Sequence, residues 1–327
     1  MREQDVPAYG RRLGWILASA LAGCTAVQST LVPFGREAES TRNLAVGMAI
    51  AGTLILVGVA ALVIHAIRAP PGRLDHRRGM RIILWLGGIG PAALLTVLLV
   101  LSLSTMRPLR AAPGDLVIAV DGEQFWWRVR YVVGSGRTID AANEVYLPVG
   151  RTVTFELASA DVVHSFWIPG LAGKMDMIPG RVNTLVVQAT RAGRFRGACA
   201  EFCGLSHARM ALDVVALGAA DFDRWLEQAA QPASAAPHPG RRLFAAYGCD
   251  GCHAIRGHFE GSAIGPDLTH LGSRMSLGAA ASPLTGDALM RFIRDSSALK
   301  PGSRMPAFRD MPPADAESVA TYLLELR

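Results

Sequence analysis

Cys199-Ala-Glu-Phe-Cys203-Gly-Leu-Ser-His207-Ala-Arg-Met210 gathers two thiols, an imidazole and a thioether into twelve residues. Soft sulfur ligands beside an imidazole are the donors that copper selects. A mononuclear blue copper site takes one Cys and two His, whereas two cysteines four apart on one loop can each bridge a pair of metal ions. A second imidazole is available upstream, in Asp161-Val-Val-His164-Ser-Phe-Trp167. Two coppers sharing two thiolates would delocalise an added electron, so each bond changes little when it arrives or leaves. By ligand type alone, a zinc site or a disulfide stays open for the same residues.

Further along, Cys249-Asp-Gly-Cys252-His253 has the C-x-x-C-H spacing. Its two thiols are placed to attach to the two vinyl groups of a porphyrin, and the adjacent imidazole can reach the iron. No second cysteine pair follows that would complete a zinc site. A haem that only transfers electrons needs a second axial ligand, and a thioether raises its potential. Met305, in Lys300-Pro-Gly-Ser-Arg-Met-Pro306, is the best placed; Met275 and Met311 are the alternatives.

Around the Cys199 loop, short segments rich in β-branched and aromatic residues alternate with Gly, Pro and Asp turns: Leu116 to Val120, Phe125 to Val132, Thr152 to Leu157 and Thr184 to Gln188. This pattern predicts a small β-sandwich over 113–230, closed by a helix over Ala220 to Ala229. Residues 231–239, Ala- and Pro-rich, form a linker. The last segment, 240–327, has helical patterns at its two ends with Pro- and Gly-rich loops between, as expected where a bulky cofactor replaces much of a core.

Toward the N-terminus, Leu44 to Ile67 and Ile82 to Met106 are apolar runs long enough to cross ~30 Å of hydrocarbon, giving a transmembrane hairpin over 44–107. The loop between them carries Arg68, Arg73, Arg77, Arg78 and Arg81 against Asp75, which places it in the cytoplasm and both flanks, including segment 24–43, in the periplasm. Arg11 and Arg12 followed by Leu13 to Gly23 read as a lipoprotein-type signal over 1–23, with Cys24 the candidate for lipidation. The net charge of +6 does not signal nucleic acid, because the basic excess sits largely in that loop and Lys174 and Lys300 are the only lysines. With 50% hydrophobic residues and a positive mean hydropathy, the chain reads as a multidomain membrane protein with soluble parts.

The Cys199–Met210 loop, the Asp161–Trp167 segment and Lys174-Met-Asp-Met-Ile-Pro-Gly-Arg181, in this order, resemble cytochrome c oxidase subunit II across most of residues 28 to 230. The segment after the linker resembles small bacterial cytochromes c, in Gly265-Pro-Asp-Leu268 as well as in the Met305 loop. Together they resemble the fused, caa-type variety. The resemblance implies a two-helix transmembrane hairpin, a cupredoxin-like β-sandwich and an all-α cytochrome c domain. It implies a dinuclear copper A centre in which Cys199 and Cys203 bridge both metals, His164 and His207 cap one each, Met210 adds a weak thioether and Glu201 offers its backbone carbonyl. The Glu201 side chain would reach a magnesium ion at the border with subunit I. Electrons would arrive through the aromatic segment Phe125, Trp126 and Trp127, although the family usually has Trp where Phe125 stands.

On this reading the chain is an electron-transfer subunit of an oxidoreductase in the bacterial inner membrane. Its covalent c haem, bound by Cys249, Cys252, His253 and Met305, takes electrons from an upstream donor and passes them through the copper pair to haem a in subunit I, in support of oxygen reduction and proton pumping. Other oxidase subunits complete the complex. No glutamate stands between Ile67 and Leu84, where many relatives carry one at the mouth of a proton path; Asp75 and His65 are the candidates to substitute for it. Two other classes compete: the electron-receiving subunit of a copper-containing nitric oxide reductase, and a periplasmic copper-trafficking lipoprotein.

Overall fold

The structure is a computed structural model that describes residues 26–70, 75–105, 109–112, 114–134, 136–234, 236–260 and 262–327. The expected signal segment and Cys24 lie outside the described residues. The chain divides into two units, Glu37–Arg110 and, separately, Met1–Arg36 with Ala111–Arg327.

The first of these units is helical. Helix α1 (Arg36–Arg68) and helix α2 (His76–Thr105) are both long and apolar enough to cross a membrane, and apolar side chains such as Leu54, Leu56, Leu95 and Val100 stand exposed along them. Each begins before the apolar run that predicts it. Glu37 and Glu39 occupy the first turn of α1, where acidic side chains favour the positive end of the helix dipole. Near the middle of α2, Pro91 has no N–H to offer the preceding turn; there the helix widens, and the Gly90 N–H donates to the Trp85 carbonyl five residues back.

The second unit contains two five-stranded sheets. One has the order β3 (Arg137–Ala142), β2 (Trp126–Val133), β1 (Leu116–Glu123), β5 (Thr152–Ser159), β8 (Asn183–Gln188), and the other β4 (Glu144–Pro148), β10 (Ala211–Leu217), β9 (Gly193–Cys199), β6 (His164–Trp167), β7 (Met175–Met177). In β1 (Leu116–Glu123) buried and half-buried residues alternate strictly, and β2 (Trp126–Val133) alternates in the opposite phase as far as Val132. Such alternation gives each strand one apolar face, and the two sheets bury theirs against each other. Trp127, Tyr131, Phe155 and Phe166 fill the space between. A helix, α3 (Ala219–Ala229), closes one end: its Phe222 is fully buried and Trp225 stacks on Tyr146 with centroids 4.1 Å apart.

Two local differences from the sequence reading have physical causes. Phe125, expected in a strand, lies in the β1–β2 turn, because Glu123 pairs with Trp126 and leaves Gln124 and Phe125 to reverse the chain. The segment before α1, expected to be a plain periplasmic stretch, is part of the sandwich. Phe34 is fully buried and stacks on Phe195 at 3.4 Å, while the Phe34 and Gly35 amides donate to the Gly170 carbonyl at 2.7 and 3.0 Å. Glycine is required at 35, since a Cβ there would lie 2.0 Å from the Leu171 carbonyl oxygen.

The C-terminal part of the same unit is helical. α4 (Pro239–Ala246) crosses α7 (Pro313–Glu325) so closely that a Cβ on Gly240 would stand 2.2 Å from the Ser318 carbonyl oxygen. Between them in sequence come α5 (Gly286–Arg294), capped by the Thr285 hydroxyl, and the short α6 (Ser296–Leu299). α5 stands in the stretch where the sequence reading has only loops; its Leu289 and Ile293 pack inward beside Val319 and Leu323. The linker is not free either. The Ala233 amide donates to the Arg256 carbonyl and the Ser234 amide to the Arg327 carbonyl, so these two amides are satisfied by the helical domain.

Sandwich and helical domain also meet directly. Along β4 (Glu144–Pro148) and β10 (Ala211–Leu217), Glu144 accepts from the Met275 amide at 2.5 Å, Ser276 donates to Asp213, and the Ala211 amide donates to the Ala279 carbonyl at 3.1 Å. Burial pushes Glu144 from its ordinary 4.5 up to about 7, with Asp213 adding to the rise and the Met275 amide and Arg274 opposing it. A carboxyl group whose folded value is raised contributes stability that is complete below about 4.5 and is lost as pH climbs through about 7. Thermal midpoints are therefore expected to fall across that window in the native chain and to vary much less with pH in Glu144→Gln.

Candidate functional site

The proposed copper ligands come from three places in one sheet. His164 opens β6 (His164–Trp167), Cys199 ends β9 (Gly193–Cys199), and Cys203, His207 and Met210 follow on the loop into β10. Phe166 pairs with Cys199 and Ala198 with Ala211, so β9 lies between β6 and β10 and brings the upstream histidine beside the cysteine loop. The loop is held by the Cys199 amide on the Met210 carbonyl, the Ala200 amide on the Ser165 carbonyl and the His207 amide on the Gly204 carbonyl, at 2.9 to 3.0 Å.

Their donor atoms converge. Cys199 Sγ and Cys203 Sγ are 4.0 Å apart; His164 Nδ1 lies 3.8 Å from the first sulfur and His207 Nδ1 3.6 Å from the second. Met210 Sδ is 3.8 Å from Cys203 Sγ, and the Glu201 carbonyl oxygen is 3.2 Å from Cys199 Sγ. His164, Cys199 and Cys203 form a buried cluster able to hold a metal. Each imidazole points the same ring nitrogen, Nδ1, at a different thiol. The Glu201 side chain is exposed.

Electrostatics favour deprotonated sulfur. Cys199 is held well below the ordinary thiol range, first by the Cys203 thiol and then by His164 and nearby amides. Removing the second proton is opposed by the thiolate already formed, a penalty that bound cations remove. Asp161 accepts from the Gln124 and Val162 amides at 2.8 and 2.7 Å and lies 2.9 Å from His164 Nε2. It therefore orients the ring so that Nδ1 faces sulfur, the outer partner that metal-binding histidines generally have. Glycine at 122 gives this ring room, since a Cβ there would be 2.8 Å from its Cδ2.

In the helical domain an apolar cavity opens between α5, α7 and the loops. Cys249, Cys252, His253 and Met305 all line it, as do Leu268, Phe292 and Leu323. Met275 and Met311 do not; Met311 is buried in the domain core. His253 Nδ1 is 2.8 Å from the Pro266 carbonyl oxygen, so Nδ1–H donates and Nε2 keeps the lone pair an iron would need. Burial lowers the pKa of His253, which favours this neutral form. The residues present fit a covalently attached haem: paired thiols, a neutral imidazole, one facing thioether and apolar walls.

Gly265 lets the His253 ring stand where it does, because a Cβ would come 2.6 Å from Cε1 and 2.8 Å from Nδ1. Gly265→Ala is expected to displace the ring, lower the yield of haem-loaded chain and destabilise the domain by about 1–3 kcal/mol. Gly251→Ala, where a Cβ meets nothing within 4 Å, is the control; haem absorbance and thermal midpoint read both.

Of the aromatic segment, Trp127 is fully buried in the sandwich core, its indole donating to the Ala211 carbonyl at 3.0 Å. Phe125 and Trp126 instead line the helical domain's cavity. Sequence reasoning passed over Asp161, whose spacing three residues before His164 was the available signal, and over Lys300, whose burial no local pattern reveals.

A family model described as "Cytochrome C oxidase subunit II, periplasmic domain" matches residues 129–217, and one described as "Cytochrome c" matches residues 238–327. Cytochrome c oxidase subunit 2 of Alkalihalophilus pseudofirmus is 40% identical over 214 residues, 64% of this chain and 61% of that one. Cytochrome c oxidase subunit 2 of Bacillus sp. (strain PS3) is 30% identical over 250 residues, 71% of this chain and 69% of that one. The chain thus spans about three fifths of the length of the first relative and over two thirds of the second. Among solved structures, the periplasmic domain of subunit II of cytochrome oxidase of Bradyrhizobium japonicum is 30% identical with a TM-score of 0.34, over 37% of this chain and 96% of that one. The chain belongs to the cytochrome c oxidase subunit II family and carries a cytochrome c domain after its sandwich.

Proposed function

We propose that this chain is the electron-delivering subunit of a haem–copper terminal oxidase, receiving electrons at a c haem and passing them through a dinuclear copper A centre to haem a in subunit I, where oxygen is reduced and protons are pumped. The observation that carries the reading is the convergence of two buried thiols, each with an imidazole Nδ1 at 3.6–3.8 Å, one imidazole from the cysteine loop and one from β6.

When bound, the copper pair and the haem each supply reversible one-electron chemistry. The chain does the rest. Cys199, Cys203, His164 and His207 would hold the copper pair, with Met210 and the Glu201 carbonyl completing the donor set. Asp161 holds the His164 ring. Cys249 and Cys252 would anchor the haem covalently and His253 and Met305 would hold its iron, while the apolar cavity walls would exclude water from it. Phe125 and Trp126 stand on the electron's way in. The exposed Glu201 side chain is left for a magnesium ion at the subunit I border. Helices α1 and α2 span the bacterial inner membrane with their outer ends periplasmic, and an upstream cytochrome or quinol-oxidising complex supplies electrons. The domain organisation follows: transmembrane hairpin, copper domain, short linker, cytochrome domain.

Metal analysis with optical and paramagnetic spectroscopy on the full chain tests this. Two coppers sharing one unpaired electron and one covalent c haem per chain are expected. A single exchangeable Cu(I) would overturn the relay. In the purified complex, nitric oxide consumption in place of oxygen consumption would overturn the oxidase assignment.

A further inference from the structure

The loop that carries Met305 is also the loop by which the cytochrome domain grips the copper domain. Lys300 is 5% exposed, although it is a lysine on an irregular loop between two domains. Its ammonium donates to the Phe125 carbonyl and, at 2.9 Å, to the Gly278 carbonyl. No carboxylate forms an ion pair with it among the described residues. Burying a cation against carbonyls alone is unfavourable unless the contacts it organises repay the lost hydration.

Those contacts run straight to the copper ligands. Gln124, beside Phe125, donates from Nε2 to the Cys203 carbonyl at 2.5 Å. The Phe125 ring lies between the two loops: a Cβ on Gly204 of the copper loop, or on Gly302 of the Met305 loop, would come within 3.2 Å of its two edges. Buried Ser206, next to His207, donates to the Pro301 carbonyl at 2.8 Å, and Arg209 donates to the Leu299 carbonyl. Arg304, next to Met305, pairs at 3.2 Å with Asp161, the carboxylate that orients His164.

We propose that Lys300 is a positioning residue that clamps the haem-ligand loop onto the copper loop through the Phe125 carbonyl, with Ser206 and Arg304 as its flanking contacts, so that haem-to-copper transfer occurs within a docked interface rather than by a tethered search. The proposal rests on the relay described above. The step moves one electron from ferrous haem, which becomes ferric, to the oxidised copper pair, which is reduced by one; no bond forms or breaks. Gln124 and Phe125 both line the haem cavity and reach the copper loop, and the clamp on the Phe125 carbonyl sets their place.

The test uses the full chain, loaded with haem and copper, in detergent. Lys300→Met keeps an apolar stem of similar length and removes the ammonium. After rapid photochemical reduction of the haem, the rate of haem reoxidation by the copper pair is expected to fall roughly tenfold or more, as the docked fraction falls, and to become dependent on solvent viscosity. Haem and copper spectra and their equilibrium potentials should stay at native values, and amide exchange should rise together in residues 204–206 and 300–305. Should Lys300→Met fail to assemble, the double variant Ser206→Ala with Arg304→Gln loosens the same clamp from its flanks and is read the same way. An unchanged rate, with both spectra native, overturns the clamp while leaving the relay intact. Absence of the two-copper signal in the native chain overturns the relay itself.

Discussion

Replacing Cys203 with serine is expected to abolish the shared-electron copper signal and weaken copper binding by more than ~100-fold, since loss of even an outer-shell partner weakens metal sites by ~10–100-fold. Cys203 is 3% exposed and touches three of the other proposed donors: Cys199 Sγ at 4.0 Å, His207 Nδ1 at 3.6 Å and Met210 Sδ at 3.8 Å. A hydroxyl fills nearly the same space, so the sandwich should fold. It is, however, a hard donor with little tendency to bridge two soft ions. Residual metal should be mononuclear, and oxygen consumption by the assembled complex should fall to near background. The haem spectrum should not change, because the cytochrome domain has its own core around Phe244, Ile255, Val319 and Tyr322. Metal content, paramagnetic resonance and haem absorbance on one preparation check all of this. Full retention of the shared-electron signal would remove Cys203 from the bridge.

Replacing Met305 with alanine should leave the haem attached but five-coordinate. Attachment depends on Cys249 and Cys252, whereas Met305 is the methionine that faces the cavity they line. Loss of a thioether ligand lowers the reduction potential, here by on the order of 100 mV out of the ~0.8 V that axial ligands span. The reduced haem should then bind carbon monoxide, which the native chain should exclude. Met311→Ala separates ligation from packing. Its side chain is 3% exposed in the domain core, so it should lose about 2–5 kcal/mol of stability and keep its potential. If Met311→Ala opened the haem to carbon monoxide and Met305→Ala did not, the axial assignment would pass from Met305 to Met311.

Most of the chemistry was readable along the chain because it is local. The C-x-x-C-H motif needs only one turn of backbone to present two thiols and an imidazole, and Cys199, Cys203, His207 and Met210 fall on a single loop. Apolar runs and alternating strands were readable for the same reason, each being periodic over a few residues. Boundaries were less so. Phe125 reads as strand, but the pairing of Glu123 with Trp126 puts it in a turn, and only that position lets its ring reach between two domains. The helix Gly286–Arg294 was overlooked among Pro- and Gly-rich neighbours, although Thr285 supplies a good cap.

The sequence by itself determined which atoms could bind copper and haem, because donor type and short spacing decide that. Tertiary structure alone decided that His164, thirty-five residues from Cys199, puts Nδ1 3.8 Å from its sulfur, since antiparallel pairing of β6 with β9 makes distant residues neighbours. It alone decided how the cytochrome domain meets the copper loop. An Ala- and Pro-rich linker specifies reach, not orientation; orientation comes from Lys300, Ser206 and Arg304 finding partners 95 to 175 residues away, and nothing in their own neighbourhoods of sequence announces those partners.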